Sequence, residues 1–513
     1  MHRWPWIAPH PATLLAIVLF ALSAPPRDWG WIFPFFCLIP FLWLLDRRPR
    51  WRDHLVQGLW LQLGWGLVTF SWVLELRGDL WHHPQAATAL VYLVIGPLSC
   101  AHLTTHALLR RGLRGRFPPW QTVVLSAAGF VLLEQAFVFA DFKLAHFLHR
   151  RPELLSLAGL IGATGVSFCI VLISELALLR RRGPLLAGVL LALYLVVSIA
   201  YFHVPPSEAR TVREVAVVQT DQSNSEVNRS TFVHPRRRDY AGPLKVMASL
   251  ETWPGLAGVD LIVLPESLFG PYFWYPESPQ GDELRRRFEA FLGRVQAPAV
   301  FGVVARDPEL RVLNELLVAS PGPPIVYGRH PKRRAMPLGE SLPLLRHFPA
   351  LRRWFFSFEV KTAAQDGPIL GSWSAGAWGG LICNEIFYAD LSATQRRAGA
   401  RLAVVIGNEA LVRGTAAHDY LLAAAVVRAV ENGIPYVKAV NGGRAFHVSS
   451  RGEVLGQLPT GTADVLHARV ELGPPGPTYF ARHPWLVLQI ATGLLIGAFL
   501  LAVRRSRTRG PTN

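Results

Sequence analysis

The sequence predicts a polytopic α-helical membrane domain joined to an α/β domain that lies outside the bilayer. Three observations carry this expectation. First, the 513 residues are 51% hydrophobic and 17% charged, with 17 Trp and 28 Phe, and the mean hydropathy is +0.27, which is too apolar for a soluble protein of this length. Second, apolar segments approaching the ~20 residues needed to cross a bilayer as a helix recur before residue 205 and once more near the C-terminus. Third, short runs rich in Val, Ile and Leu alternate with helical patterns in the long stretch between them, which points to a layered α/β domain.

Seven apolar segments come first: Pro11–Ala24, Trp29–Leu45, Val56–Leu74, Ala86–Leu109, Trp120–Ala140, Leu154–Leu179 and Pro184–Phe202. The eighth is Trp485–Val503. The expected domains are therefore 1–205, a seven-helix transmembrane domain; 206–476, a catalytic domain; and 477–513, a final transmembrane helix with a basic tail. Arginine clusters follow every second segment: Arg47, Arg48, Arg50 and Arg52; Arg110, Arg111, Arg114 and Arg116; Arg180, Arg181 and Arg182; Arg504, Arg505, Arg507 and Arg509. The intervening connections are poorer in positive charge. The positive-inside rule then puts both termini in the cytoplasm and the 206–476 domain outside, in the periplasm of a bacterial cell. The net charge of +17 is explained by these clusters, and no nucleic-acid-binding motif accompanies it. Glu134 and Glu175 lie inside apolar spans, where a carboxylate is costly; an interhelical hydrogen-bonded contact accounts for them without chemistry.

In the outer region the strand candidates are Glu214–Gln219, Asp260–Leu264, Ala299–Val304, Leu313–Ala319, Trp378–Ile382, Leu402–Ile406, Tyr436–Ala439, Ala445–Ser449 and Asp464–Glu471. Helices are expected over Asp282–Val295, with Asp282 as N-cap, and over Ala416–Glu431, ended by Gly433. A Pro-rich run, Gly473 to Pro477, reads as a stiff linker into the last span.

Of four cysteines, Cys37, Cys100 and Cys169 lie inside apolar segments, and Cys383 alone falls in the polar region. It has no partner there for a disulfide, so it is either inert core or a nucleophile, and on its own core is the commoner fate. Three local patterns shift that balance. Leu264-Pro265-Glu266-Ser267 ends a strand on Glu266. His330-Pro331-Lys332 supplies Lys332, followed by Pro337-Leu338-Gly339-Glu340. Ile382-Cys383-Asn384-Glu385 supplies the thiol. A cysteine becomes an acyl acceptor when a base takes its proton and a cation stabilises the resulting charge, and these residue types provide both. No metal-ligand spacing and no phosphate-cradling glycine loop is present, and neither metal nor cofactor is expected.

This order of motifs resembles the nitrilase (carbon-nitrogen hydrolase) superfamily, and seven spans before it with one after it resemble its membrane branch, the apolipoprotein N-acyltransferases. The resemblance implies a nitrilase-like α-β-β-α sandwich. It implies Glu266 as general base, Lys332 as oxyanion and thiolate stabiliser, and Cys383 as nucleophile. Glu340 and Glu385 match accessory carboxylates, and the backbone N–H of Asn384 would complete the oxyanion site. The implied reaction moves a fatty acyl chain from a membrane phospholipid, through a cysteine thioester, to the α-amine of an S-diacylglyceryl-cysteine apolipoprotein. The implied place is the bacterial inner membrane, and a monomer is expected. The chain departs from the pattern at Asn384, where an aromatic residue is usual, at Asn408-Glu409-Ala410-Leu411-Val412, and at Asp141-Phe142-Lys143-Leu144. A membrane-anchored amidase using water as acceptor is the alternative, and a non-catalytic scaffold is a further one.

Leu351 to Phe358, rich in Arg, Trp and Phe, suits a flap dipping into the headgroup layer, or equally an aromatic cluster packed on the domain. His418 and Asp419 are adjacent on a helix and should point apart. Asn441-Gly442-Gly443 reads as a tight turn, and Arg428 with Glu431 as an exposed or partly buried ion pair.

Overall fold

The computed structural model describes residues 8–27, 30–76, 84–137, 141–204, 211–223, 240–269, 279–306, 312–321, 326–336, 340, 350, 360–361, 367–373 and 376–508. The chain divides into two compact units: residues 1–74, 89–205 and 478–513 form one, and 75–88 with 206–477 form the other. The suggested flap, Leu351 to Phe358, lies outside the described residues.

The first unit is helical. Six helices among the described residues are long and apolar enough to cross a membrane: Gly30–Arg47, Thr88–Arg114, Pro119–Phe137, Ala158–Leu176, Gly183–Phe202 and Leu486–Arg504. The helix Pro11–Ser23 is shorter. Gly183–Phe202 and Leu486–Arg504 bury only 17% and 11% of their apolar windows, so they present hydrocarbon outward, as a lipid-facing helix must. The third apolar segment became the helix Trp51–Thr69, which is not among the six because it carries polar residues that face inward. Gln57 receives the Thr13 hydroxyl at 2.8 Å, and Gln62 receives that of Thr104 at 2.6 Å; such side-chain bonds tie helices together where apolar burial offers little driving force.

Both intraspan carboxylates are partnered within this unit. Glu175 accepts from Arg110 at 2.7 Å and from Ser126 at 2.6 Å, while Arg110 reaches Asp46 at 2.5 Å. The buried Arg110 guanidinium thereby joins three helical segments, and Ser126 adds a fourth through Glu175. Glu134 accepts the backbone N–H of Leu144 at 2.7 Å.

The second unit is built on one 13-stranded sheet. Its strands are β1 Val212–Thr220, β2 Leu261–Val263, β3 Ala299–Arg306, β4 Val312–Ser320, β5 Val326–Pro331, β6 Val360–Lys361, β7 Leu370–Trp373, β8 Gly376–Ile382, β9 Ala400–Asn408, β10 Tyr436–Asn441, β11 Phe446–Val448, β12 Val454–Gln457 and β13 Asp464–Glu471. The main path runs β5-β4-β3-β2-β1-β10-β9-β8-β7. β1 pairs in parallel with β2 and β10, as β8 does with β9 and β9 with β10, while β4 is antiparallel to both its neighbours, β3 and β5.

The sheet is curled so that its two halves face each other. Val215 and Val217 of β1, Val300 of β3 and Leu316 of β4 share one buried core with Trp378 and Ile382 of β8 and Leu402, Val404 and Ile406 of β9. The alternate residues, Ala216, Val218, Phe301 and Val303, face outward onto helices α1 (Ala241–Thr252) and α2 (Pro279–Val295). This is the period-two alternation of a sheet buried on both faces. Helices α3 (Ala389–Arg397) and α4 (Ala417–Asn432) belong to the other half, where α3 packs on β8 and β9. The layers are thus α-β-β-α, with the two β layers being halves of one continuous sheet.

α2 begins at Pro279, so Asp282 lies in its first turn and is not the N-cap; a carboxylate there still favours the helix dipole. α4 ends on Gly433 in the left-handed conformation, φ 62°, the usual glycine C-cap. Every residue of α4 is buried, which corrects the expectation for Arg428 and Glu431: their pair, at 2.9 Å, is 0% and 1% exposed. The Gly473–Pro477 run is held by side chains from the sheet half it follows, with Arg396 donating to the carbonyls of Pro474 and Gly476 and Arg401 to that of Gly473.

Breaking a buried ion pair by removing one partner strands the other charge. Arg428→Met is expected to lower the stability of the α/β unit by about 3–5 kcal/mol, and the double replacement Arg428→Met with Glu431→Leu to recover most of that loss. Denaturant unfolding of the three proteins measures both.

Candidate active site

The ends of three strands converge on Lys332. It follows β5, whose last residue is Pro331, and its backbone N–H bonds the carbonyl of Asn314 in the neighbouring β4 at 2.7 Å. Its side chain is 1% exposed and runs to two carboxylates. Lys332 Nζ lies 2.9 Å from Glu340 and 3.5 Å from Glu266. Asn314 Nδ2 donates to both of them, at 2.5 Å to Glu266 and 3.2 Å to Glu340.

Glu266 stands three residues beyond β2. Its backbone N–H bonds the carbonyl of Gly407 at 3.3 Å, and its Oε2 accepts the N–H of Asn408 at 2.9 Å. The carboxylate is therefore gripped by the end of β9 on one side and by Asn314 on the other. Ser267, the next residue, has φ 58°, a left-handed conformation costly for any side-chain-bearing residue. Glu340 also accepts the N–H of Met336 at 2.7 Å, which fixes the segment leaving Lys332.

Cys383 terminates β8 and opens the 3-10 turn Cys383–Phe387. Its φ is 54°. The side chain is half-buried and packs on the edge of the core between the sheet halves. The strain is retained because the following turn is over-determined: the Glu385 carboxylate accepts from the N–H of Ile382 at 3.0 Å, of Arg333 at 2.6 Å and of Arg334 at 3.1 Å. The Arg333 guanidinium adds an ion pair at 3.0 Å to Glu385 and a bond to the Gly380 carbonyl at 3.1 Å. Glu385 is 0% exposed and spans the loop that carries Lys332 and the turn that carries Cys383. It has no part of its surface left for substrate.

The electrostatics follow from this packing. Burial raises the Glu266 carboxyl above the ordinary range; the Lys332 charge opposes that rise and the Glu340 charge adds to it. Burial would lower Lys332, yet Glu340 and Glu266 hold it well above the usual lysine range, so it stays an ammonium. Burial and then the Glu266 charge push the Cys383 thiol up, against the opposing pull of Lys332. The resting cysteine is consequently a neutral thiol, and a reaction at its sulfur requires a group that takes the proton.

Glu266, Lys332, Cys383 and Glu340, singled out from sequence, are thus drawn into one site. Glu385 supports that site from beneath. Two members were not anticipated. Asn314 is a lone amide in an apolar strand, and that polar interruption was the available signal. Arg333 looked like one of a basic run. The backbone N–H of Asn384 follows the thiol directly, while its side chain is buried and reaches the Arg334 carbonyl only at 3.4 Å. His418 and Asp419 take different partners, Glu409 at 2.6 Å and Arg444 at 3.0 Å. Among the described residues no group of His, Cys, Asp or Glu is arranged to hold a metal.

The model of the apolipoprotein N-acyltransferase N-terminal domain matches residues 16–176, and that of the carbon-nitrogen hydrolase domain matches 214–476. Curated relatives include the apolipoprotein N-acyltransferase of Geobacter metallireducens, 29% identical over 68% of each chain, and that of Ralstonia nicotianae, 26% identical over 96% of this chain and 93% of that one. A solved amidase from Nesterenkonia sp. covers 53% of this chain and 92% of its own, with 17% identity and a TM-score of 0.37. With a family model spanning the whole α/β region, more than half of the sequence, the chain belongs to the carbon-nitrogen hydrolase family.

Proposed function

We propose that the protein is a lipoprotein N-acyltransferase of the bacterial inner membrane, acting as a monomer with Glu266, Lys332 and Cys383 as its catalytic residues. The observation that carries the reading is the pairing of this site with a helical region that the N-acyltransferase model also matches. Curated apolipoprotein N-acyltransferases align along nearly the full chain, which favours acyl transfer over the amidase alternative.

In the first half-reaction Glu266 accepts the thiol proton as Cys383 Sγ attacks an ester carbonyl of a membrane phospholipid. The Lys332 ammonium and the Asn384 N–H stabilise the oxyanion. The tetrahedral adduct expels the glycerol oxygen, which takes the proton back from Glu266 and leaves as lysophospholipid. A thioester remains on Cys383. In the second half-reaction the α-amine of the diacylglyceryl-cysteine attacks the thioester and gives a proton to Glu266. Collapse forms the amide and releases the thiolate, which regains that proton. Ester and amine are consumed, amide and alcohol are formed, and the enzyme is restored.

Glu340 holds the lysine, and Glu385 joins the two loops that deliver lysine and thiol. The orientation proposed, with both termini cytoplasmic and the 206–476 domain periplasmic, is supported by the four arginine clusters. The two apolar substrates give the spans a purpose beyond anchoring.

Incubating the protein with phospholipid and no acceptor is expected to accumulate an acyl-thioester on Cys383, detected by intact mass and released by hydroxylamine. Cys383→Ala forms none and fails to rescue a strain deficient in lipoprotein maturation, and Lys332→Met slows acylation about 100- to 1000-fold. Absence of the thioester in the active wild type would sink the mechanism. The pH profile provides a second check. The base works only ionised, so acylation is lost as pH falls through the raised Glu266 value, above the ordinary carboxylate range of about 4.3; Glu340→Gln removes a charge that raises Glu266 and moves this acid limb downward. For orientation, protease added to intact spheroplasts cleaves within 206–476, and inverted vesicles protect that stretch; the opposite pattern refutes the topology.

A further inference from the structure

A second buried charge cluster lies beside the site and has no part in the mechanism above. Glu409, the first residue after β9, is 2% exposed and pairs with two buried side chains. His418, the second residue of α4, meets it through Nδ1 at 2.6 Å, and Lys438 of β10 forms an ion pair with it. Lys438 Nζ also sits over the Phe446 ring, 5.1 Å from its centroid. The carboxylate is packed so closely on the β10 exit that a Cβ added at Gly443 would come within 2.2 Å of Glu409 Oε2. Burial works against the charge, but Lys438 and His418 hold the carboxyl down at about 2, so it is ionised throughout the working range.

What makes this cluster relevant is the residue before it. Asn408 donates its N–H to Glu266 Oε2, and Gly407 accepts the N–H of Glu266. The Asn408 side chain is itself tied to Asn441 at 3.1 Å, and the Glu409 N–H bonds the Asn441 carbonyl at 2.8 Å. The grip on Glu266 therefore comes from a short strand end whose next residue is anchored by the Lys438 ion pair and the His418 hydrogen bond.

We infer that Glu409 is a positioning residue for Glu266: its buried links to Lys438 and His418 fix the end of β9 that holds the base. The Glu409 charge also reaches Cys383, where it adds to the push of Glu266 and Glu340 against the pull of Lys332. The nearer pair on the turn itself, Glu385 with Arg333, is closed on itself. The inference rests on Glu266 being the base, so its test carries a readout that needs no substrate.

The test uses the full chain in phospholipid-containing micelles and compares wild type, Glu409→Gln, Glu409→Asp and His418→Phe. Two quantities are followed: the rate and KM of thioester formation, and the pH midpoint of Cys383 alkylation by iodoacetamide. Glu409→Gln is expected to slow acylation about tenfold to a hundredfold, with KM for phospholipid changed by less than about threefold. The same variant lowers the alkylation midpoint by about half a pH unit or more, because a like charge beside the thiol is gone. Glu409→Asp recovers both. An unchanged rate, or a slowed rate with the wild-type midpoint, overturns the inference. Should Glu409→Gln fail to fold, His418→Phe keeps both charges while removing one link. It then slows acylation about threefold or more with the midpoint in place, and full activity there overturns the inference. A wild type that alkylates on Cys383 yet forms no thioester counts against the acyltransfer reading instead.

Discussion

The ammonium of Lys332, buried between Glu266 and Glu340, is the constraint on which the α/β unit depends. Two carboxylates brought together in a protein interior cannot both remain ionised without a cation, and a lone ammonium there would lose its proton. Each group makes the others tolerable, and Asn314 supplies the neutral donor that completes the set. The cost is geometric. Lysine, base and anchor come from β5, the end of β2 and the segment after Met336, and the thiol arrives from β8 in the opposite half of the sheet. Only a sheet curled until β3 and β4 face β8 and β9 delivers them together.

The buried site also determines what kind of nucleophile the proposed mechanism makes of Cys383. A thiol pushed up by burial and by a neighbouring carboxylate does not wait as a thiolate. In the proposed mechanism it is activated when substrate arrives and Glu266 takes the proton. Under the proposed orientation the residue faces an oxidising compartment, where a standing thiolate would be consumed by disulfide exchange or oxidation. The Glu385 network holds the left-handed turn at Cys383 in place.

The site was legible because Glu266 and Cys383 each close an apolar strand run and Lys332 stands in its own His-Pro-Lys motif, so the three could be found from local motifs and joined by family resemblance. Most strands were legible for the same reason: their apolar runs are continuous. β5 was not, since Gly328, Arg329, His330 and Pro331 give it no apolar period, and it is a strand only because it pairs along β4. Asn314, Arg333 and Glu409 were missed because their roles come from what lies across the fold. Arg428 and Glu431 were expected to be exposed or partly buried, since nothing local announces that α4 is covered on every side. The helix Trp51–Thr69 hid its logic in another way, with its polar residues turned toward other helices.

The same chemistry recurs in each unit, and the charge clusters differ in a way that supports the proposed reactive role for one of them. Arg110 is bound between Asp46 and Glu175, and Glu385 between Arg333 and backbone N–H groups, at separations of 2.5–3.1 Å apart from one longer Arg333 Nε contact. These sets are closed, with short contacts on both sides of the carboxylate. Lys332 is unequal in its attention: it stands 2.9 Å from Glu340 but 3.5 Å from Glu266. The nearer carboxylate is the anchor. The farther one is less fully neutralised, keeps a raised proton affinity and has an amide, not a second cation, on its other side. A carboxylate so placed can accept a proton and return it without dismantling the ion pair that holds the site together, which is the physical ground for assigning the base to Glu266 and the positioning role to Glu340.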